Sequence, residues 1–167
     1  MRTLYLMRHA KSNWDASYVG DYERPLSVRG KKAARLIGKF LGRTAQIPTL
    51  IICSSAIRTQ QTLEIASKEG GWGDVETVIE NELYLTTKNS IMGRICSLSN
   101  EIESVMLLGH EPTTSVVAGS LIGGGSLRFP TGACARIDMN IDNWADIHPG
   151  SGTLQWLITP KMLNRKK

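Results

Sequence analysis

Thr3-Leu4-Tyr5-Leu6-Met7-Arg8-His9 starts with an apolar run free of glycine and proline and ends abruptly in two cationic or ionisable groups. An alternating strand has one wet face, whereas an unbroken apolar run suits a strand covered on both faces, as in the middle of a parallel sheet. Leu50-Ile51-Ile52-Cys53 and Val105-Met106-Leu107-Leu108 repeat the pattern, the latter running straight into Gly109-His110. Helical periodicities lie between these runs. Ser27 is placed to cap a helix that buries Ala33, Leu36, Ile37, Phe40 and Leu41 and turns Lys31, Lys32 and Arg35 to water. Ser54 and Ser55 are read as caps of a second helix through Thr62, Leu63, Ile65 and Ala66, stopped by Gly70-Gly71. A third strand is expected at 75–79 and a helix at 91–98. Pro112 is read as the first-turn proline of a helix over 113–122 that closes in Gly123-Gly124-Gly125. Alternation at 133–139 and 153–159 predicts an antiparallel hairpin or edge pair. The fold class that follows is α/β: a single three-layer domain over 1–167, a mostly parallel central sheet flanked by helices, with antiparallel edge strands from the C-terminal third.

Composition agrees with that architecture. The 167 residues are 41% hydrophobic and 21% charged, with 16 glycines and 6 prolines. These values exclude collagen-like, disordered and disulfide-scaffold classes. Twenty Lys and Arg against fifteen Asp and Glu leave a net charge of +5, which favours anionic partners without naming one. Cys53, Cys96 and Cys134 are odd in number and lack metal-type spacing, so they read as buried, reduced thiols of a cytosolic protein. Leu4 to Met7 is too short for the core of a secretion signal, and no later run approaches the roughly 20 apolar residues that span a bilayer. The expectation is a soluble, cytoplasmic protein with no membrane partner. The basic residues Lys161 and Arg165-Lys166-Lys167 read as a solvated end rather than a nucleic-acid or membrane footprint, since no aromatic platform accompanies them.

The chemistry is read from position. Arg8-His9 follows the first strand, Arg58 lies in the helix after the second, and Gly109-His110 follows a later strand. Residues just past the carboxyl ends of parallel strands converge on one crevice, beside helix amino ends that favour anions. Two arginines and two histidines gathered there repel one another unless an anion with several oxygens sits among them. Taken singly, Arg58 also fits a helix surface and His110 a hydrogen-bonded core.

The ordered segments Leu6-Met7-Arg8-His9-Ala10-Lys11-Ser12, Arg24-Pro25-Leu26-Ser27 with Arg29-Gly30, Cys53-Ser54-Ser55-Ala56-Ile57-Arg58-Thr59-Gln60-Gln61-Thr62 and Leu108-Gly109-His110-Glu111-Pro112 resemble the motifs of the histidine phosphatase (phosphoglycerate mutase-like) superfamily. Asn81-Glu82-Leu83-Tyr84 and Phe129-Pro130-Thr131-Gly132-Ala133 extend the likeness over nearly the whole chain, and it runs to the small SixA-type phosphohistidine phosphatase branch. The resemblance implies that His9 attacks phosphorus and carries it as a covalent phosphohistidine, which splits one hard displacement into two easier ones. It implies Arg8, Arg58 and His110, the last as a cation, as donors to the non-bridging oxygens. Asp21 and Arg24 fall where the branch carries an aspartate and a further arginine, at the rim, with a plain loop ion pair as the alternative. Glu82 is the positional counterpart of the glutamate that related mutases use as general acid, so the acid is Asp21, Glu82 or neither. No metal and no cofactor is implied. Two departures stand out: Glu111 where related chains often have Asn, and Ser55 where Pro is usual.

Competing motifs fail on spacing. The interval from Cys53 to Arg58 is one residue short of the cysteine-phosphatase loop, His110-Glu111 meets Thr114 where a zinc-protease helix needs its second histidine, and Gly123-Gly124-Gly125-Ser126 lacks the lysine of a nucleotide-binding loop. The elements between Arg58 and His110 leave no insertion to roof the crevice. An open basic mouth suits a phosphohistidine-carrying protein, with a small phosphate ester as the alternative partner. A non-catalytic phosphate-binding module, which would tolerate loss of His9, and a nucleic-acid binder, whose affinity would fall steeply with salt, are the other classes, although the weak basic footprint favours no nucleic-acid partner.

Overall fold

In the computed structural model, which describes residues 1–164, the apolar runs become the middle of a sheet. β1 (Arg2–Arg8), β2 (Leu50–Ser54), β3 (Glu76–Glu80) and β4 (Ser104–Gly109) are mutually parallel, and β5 (Cys134–Met139) and β6 (Gly152–Ile158) add on antiparallel. The strand order is β3-β2-β4-β1-β5-β6. The sites of unbroken apolarity, β2, β4 and β1, are neighbours in the middle. Their side chains alternate between faces as a pleat requires. Leu4, Leu6, Leu50, Ile52, Val105 and Leu107 join one core, and Tyr5, Met7, Ile51, Cys53, Met106 and Leu108 the other. The domain is a single α/β unit with a six-stranded mixed sheet.

Among the described residues five α-helices cover the two faces. α1 (Val28–Arg43), α2 (Ile57–Gly70) and the short α5 (Pro160–Leu163) pack on the Met7 side, while α3 (Lys88–Cys96) and α4 (Thr113–Leu121) pack on the Leu6 side. Ser27 caps α1, its hydroxyl accepting from the Gly30 amide at 3.0 Å. The stripe α1 buries is Gly30, Ala34, Ile37, Gly38 and Leu41, so Ala33, Leu36 and Phe40 sit at its margin. The shift follows from close packing against α2, where the backbone carbonyl of Ala66 occupies the space a Cβ on Gly38 would need. Gly71 ends α2 at φ 74°, the left-handed conformation for which glycine is suited.

Several expectations need correction. Neither Ser54 nor Ser55 caps α2; Ala56 is the N-cap and supplies no side-chain bond, because Ser54 ends β2 and turns its hydroxyl into the site. Pro112 precedes the first turn of α4 as its N-cap instead of standing inside it. α3 begins at Lys88, ahead of the expected start, because the Thr87 hydroxyl accepts from the Ser90 amide at 3.2 Å. The antiparallel pair stands at the edge of the sheet as expected, β6 outermost and β5 between β1 and β6. Cys53 and Cys134 are buried thiols, but Cys96 is exposed at the end of α3. The Arg165-Lys166-Lys167 tail lies outside the described residues. Among those described, no helix is long and apolar enough to cross a membrane.

Candidate active site

The parallel register brings three strand ends together. Arg8 pairs with Gly109 and Cys53 with Leu108, so His9, Ser54 and His110 leave adjacent strands side by side. The His9 and His110 rings lie 5.2 Å apart between centroids. They open into a pocket of about 540 Å³ that Arg8, Arg24, Arg58, Asp21 and Glu111 also line.

Hydrogen bonding fixes the histidine tautomers. His9 Nδ1 lies 2.7 Å from the Ala10 carbonyl, which can only accept, so Nδ1 carries the hydrogen and Nε2 keeps its lone pair. Arg58 Nε donates to that Nε2 at 3.3 Å. Arg58 Nη2, always a donor, faces His110 Nδ1 at 3.3 Å, and His110 Nε2 therefore donates to Ser54 Oγ at 2.7 Å. Burial is the main force pushing both rings toward the neutral form. It takes His9 down to about 3 despite the Ala10 bond, with His110, Arg58 and Arg8 acting in the same direction. Burial together with Arg58 takes His110 down to about 4, Asp21 opposing. Among protein groups alone the balance at His110 therefore favours the neutral ring near pH 7.

Asp21 organises the cations. Its carboxylate accepts from Arg24 Nη2 at 2.6 Å and from Arg58 Nη2 at 3.0 Å, and its backbone carbonyl accepts from Arg58 Nη1 at 2.6 Å. The Tyr84 hydroxyl donates to the same carboxylate at 3.1 Å. Partial burial alone would raise the Asp21 carboxyl, but Arg58, Tyr84 and Arg24 together hold it below the ordinary carboxylate value. Arg24 is buried under the Trp14 ring, its guanidinium carbon 3.4 Å from the ring centroid. Arg8 Nη1 donates to the Phe129 carbonyl at 2.8 Å.

Some polar atoms are left over. Arg8 Nε and Arg24 Nε and Nη1 are buried and have no acceptor in the protein. Buried donors are almost always paired, so these N–H groups, carried by two arginines that line one pocket, are exceptions among the described residues. Glu111 contributes the opposite polarity: Oε2 accepts from the Ser115 hydroxyl, while Oε1 is buried without a donor. Among the described residues no cluster of three or more His, Cys, Asp or Glu gathers as a metal site would require.

The structure therefore brings Arg8, His9, Asp21, Arg24, Arg58 and His110 to one pocket. It does not bring Glu82, which is exposed on the turn Asn81–Leu83 and lines the neighbouring depression. Ser54, Tyr84 and Trp14 were missed by sequence reasoning. Ser54 carried a usable signal, since it stands at the same strand exit as Arg8-His9 and Gly109-His110.

The profile of the histidine phosphatase superfamily (branch 1) matches residues 4–84. An uncharacterized protein of Mycobacterium tuberculosis is 30% identical over 165 residues, covering 93% of this chain and all of that one. The phosphohistidine phosphatase SixA of Escherichia coli K12 is 25% identical over 167 residues, with 98% of each chain covered. Among solved structures, a candidate SixA phosphohistidine phosphatase from Nakamurella multipartitia superposes with a TM-score of 0.81 at 27% identity, covering 95% of this chain and 96% of that one. Fold, site and relatives together define a phosphatase: the chain belongs to the histidine phosphatase superfamily. Within that superfamily its likeness is to the SixA-type proteins.

Proposed function

We propose that the protein removes the phosphoryl group from phosphohistidine on a protein substrate, through a covalent phosphohistidine formed on His9. The observation that carries this reading is the convergence of Arg8, Arg24, Arg58 and His110 on the pocket that also holds His9, whose Nε2 lone pair is preserved by the Nδ1 bond to Ala10.

In the first step Nε2 of His9 bonds to phosphorus while the bond from phosphorus to the substrate imidazole breaks, its electron pair going to the leaving ring, which already carries a proton on its other nitrogen and departs as neutral imidazole. In the second, water attacks phosphorus, the bond to Nε2 breaks, and orthophosphate leaves with His9 restored. Charge in both steps gathers on the three non-bridging oxygens. Arg8, Arg24, Arg58 and His110 are the donors assigned to them, since fixed donors supply most of the catalysis in phosphoryl transfer. Asp21, held ionised by its cation partners, serves as a positioning residue for Arg58 and Arg24. A protonated imidazole departs readily, so neither Asp21 nor Glu82 is needed as acid. The preference for a protein over a metabolite is supported by the SixA likeness and by the exposed Trp14 and Leu85 that flank the pocket, 62% and 82% accessible.

The test is to react the protein with a labelled phosphohistidine-bearing protein and quench in alkaline detergent, which preserves the phosphorus–nitrogen bond. Label mapped to His9 and absent from His9→Ala, with specific activity at least about tenfold above that on sugar phosphates, is the expected result. Label elsewhere would overturn the mechanism, and a preference for sugar phosphates would overturn the substrate class.

A further inference from the structure

Beside the His9 pocket lies a larger depression of about 790 Å³, walled by Glu80, Glu82, Leu83, Ser90, Ile91 and Arg94. The two are continuous, because Leu83, Leu85 and Thr86 belong to both walls. Phosphoryl chemistry at His9 makes no use of this groove. Leu85 stands on the divide with 82% of its surface accessible and its backbone at φ 54°, a left-handed conformation that non-glycine residues seldom adopt. Trp14 is 62% and Tyr22 38% accessible, Trp14 at the pocket and Tyr22 stacked edge-on against Tyr84, so apolar groups are displayed around the mouth. Aromatic and aliphatic display of this kind beside a polar cleft is characteristic of surfaces that bind macromolecules.

Charge distinguishes the groove from the pocket. On a chain of net charge +5, the groove carries Glu80 and Glu82. Glu80 is held by Arg94 at 2.8 Å, whereas Glu82 is exposed and has no ion-pair partner among the described residues. A basic pocket for the phosphoryl group thus adjoins a groove whose one uncompensated charge among the described residues is the Glu82 carboxylate. A phosphorylated side chain reaching His9 from a polypeptide carries its neighbours across Leu85 and into this groove.

We propose that the groove receives the polypeptide segment flanking the phosphohistidine of the protein substrate, with an apolar side chain against Leu83 and Leu85 and a lysine or arginine facing Glu82. This rests on the phosphohistidine-protein reading and deepens it: Glu82 serves partner choice instead of proton transfer. The groove adds affinity for the macromolecule and leaves the chemical step alone.

The variants that test it are Glu82→Lys and Ser90→Trp, both on exposed positions outside the His9 pocket. Steady-state kinetics are measured on a phosphohistidine-bearing protein phosphorylated with phosphoramidate and on free phosphohistidine. Each variant is expected to raise KM for the protein about fivefold or more, with kcat and all kinetics on free phosphohistidine unchanged. Reversing a basic residue next to the substrate's phosphohistidine to Glu is expected to impair the wild type and be rescued by Glu82→Lys. KM on the protein within about twofold of wild type for both variants, or an equal loss on free phosphohistidine, would overturn the groove. Wild type inactive on both phosphohistidine substrates would instead overturn the underlying reading, and the two failures are thereby told apart.

Discussion

Arg58 Nε lies 3.3 Å from His9 Nε2 and points its hydrogen at that nitrogen's lone pair, while both Nη atoms of the same guanidinium are held by Asp21. One planar fork thus meets His9, the Asp21 carboxylate and His110 together. Lysine keeps the charge and loses the fork. Arg58→Lys is expected to lower kcat/KM by about two to three orders of magnitude, the scale of losing a preorganised oxyanion donor. Steady-state kinetics checks this, with circular dichroism melting to show that the variant remains folded.

His110 is neutral among its protein neighbours, its proton affinity pushed down to about 4 by burial and by Arg58. A bound oxyanion stabilises the cationic ring and raises that value, so binding draws in a proton wherever the pH lies between about 4 and the higher bound-state value. Affinity therefore falls as pH rises through that bound-state value. Calorimetry with tungstate in buffers of different ionisation enthalpy is expected to report proton uptake, and His110→Asn to diminish it.

Folding stability carries the matching acid signature. His9 and His110 sit at about 3 and about 4 against an ordinary 6.5, so below pH 6.5 the unfolded chain binds more protons than the folded one. Stability is lost as pH falls from 6.5 toward about 3 and is unaffected by these two rings above 6.5. Urea midpoints measured from pH 7 to pH 4 are expected to fall less steeply in a His9→Gln/His110→Asn double variant.

Glu111 places a carboxylate at an anion pocket, with Oε1 buried and undonated, and its charge holds the Arg8 guanidinium up against the lowering effect of burial. Glu111→Gln removes the repulsion and keeps the shape. Tungstate or vanadate binding is expected to tighten about threefold to tenfold, read by inhibition constants.

Gly38 meets the Ala66 backbone where α1 crosses α2, leaving no room for a methyl group. Gly38→Ala gains helix propensity and loses more through forced separation of the helices. A net destabilisation of about 2 kcal/mol is expected from chemical denaturation, within the usual cost of overpacking. A gain in stability would contradict the packing described.

Much of this was legible because unbroken apolar runs have few other uses: residues 4–7, 50–53 and 105–108 became the buried strands, and what followed them became the pocket wall. Ser54 was misread because serine serves equally as a helix cap and as a hydroxyl partner, and only strand order separates the two. Tyr84 and Trp14 were invisible for a different reason. Aromatic residues in turns carry no periodicity, and their contacts with Asp21 and Arg24 exist only after distant loops meet. The lowering of the His110 value among protein groups alone was not legible, because desolvation depends on depth, which sequence does not encode. Glu82 matched a family position, but its side chain belongs to the next hollow.

The placing of β4 between β1 and β2 also governs the order in which the site can be put together. While β4 is still in the ribosome, the strands bearing His9 and Ser54 have nothing to join them, and His110 has not been made. The part of the chain that carries His9 and Ser54 therefore comes before the part that joins them, and the pocket is assembled only once β4 has paired with both of its neighbours.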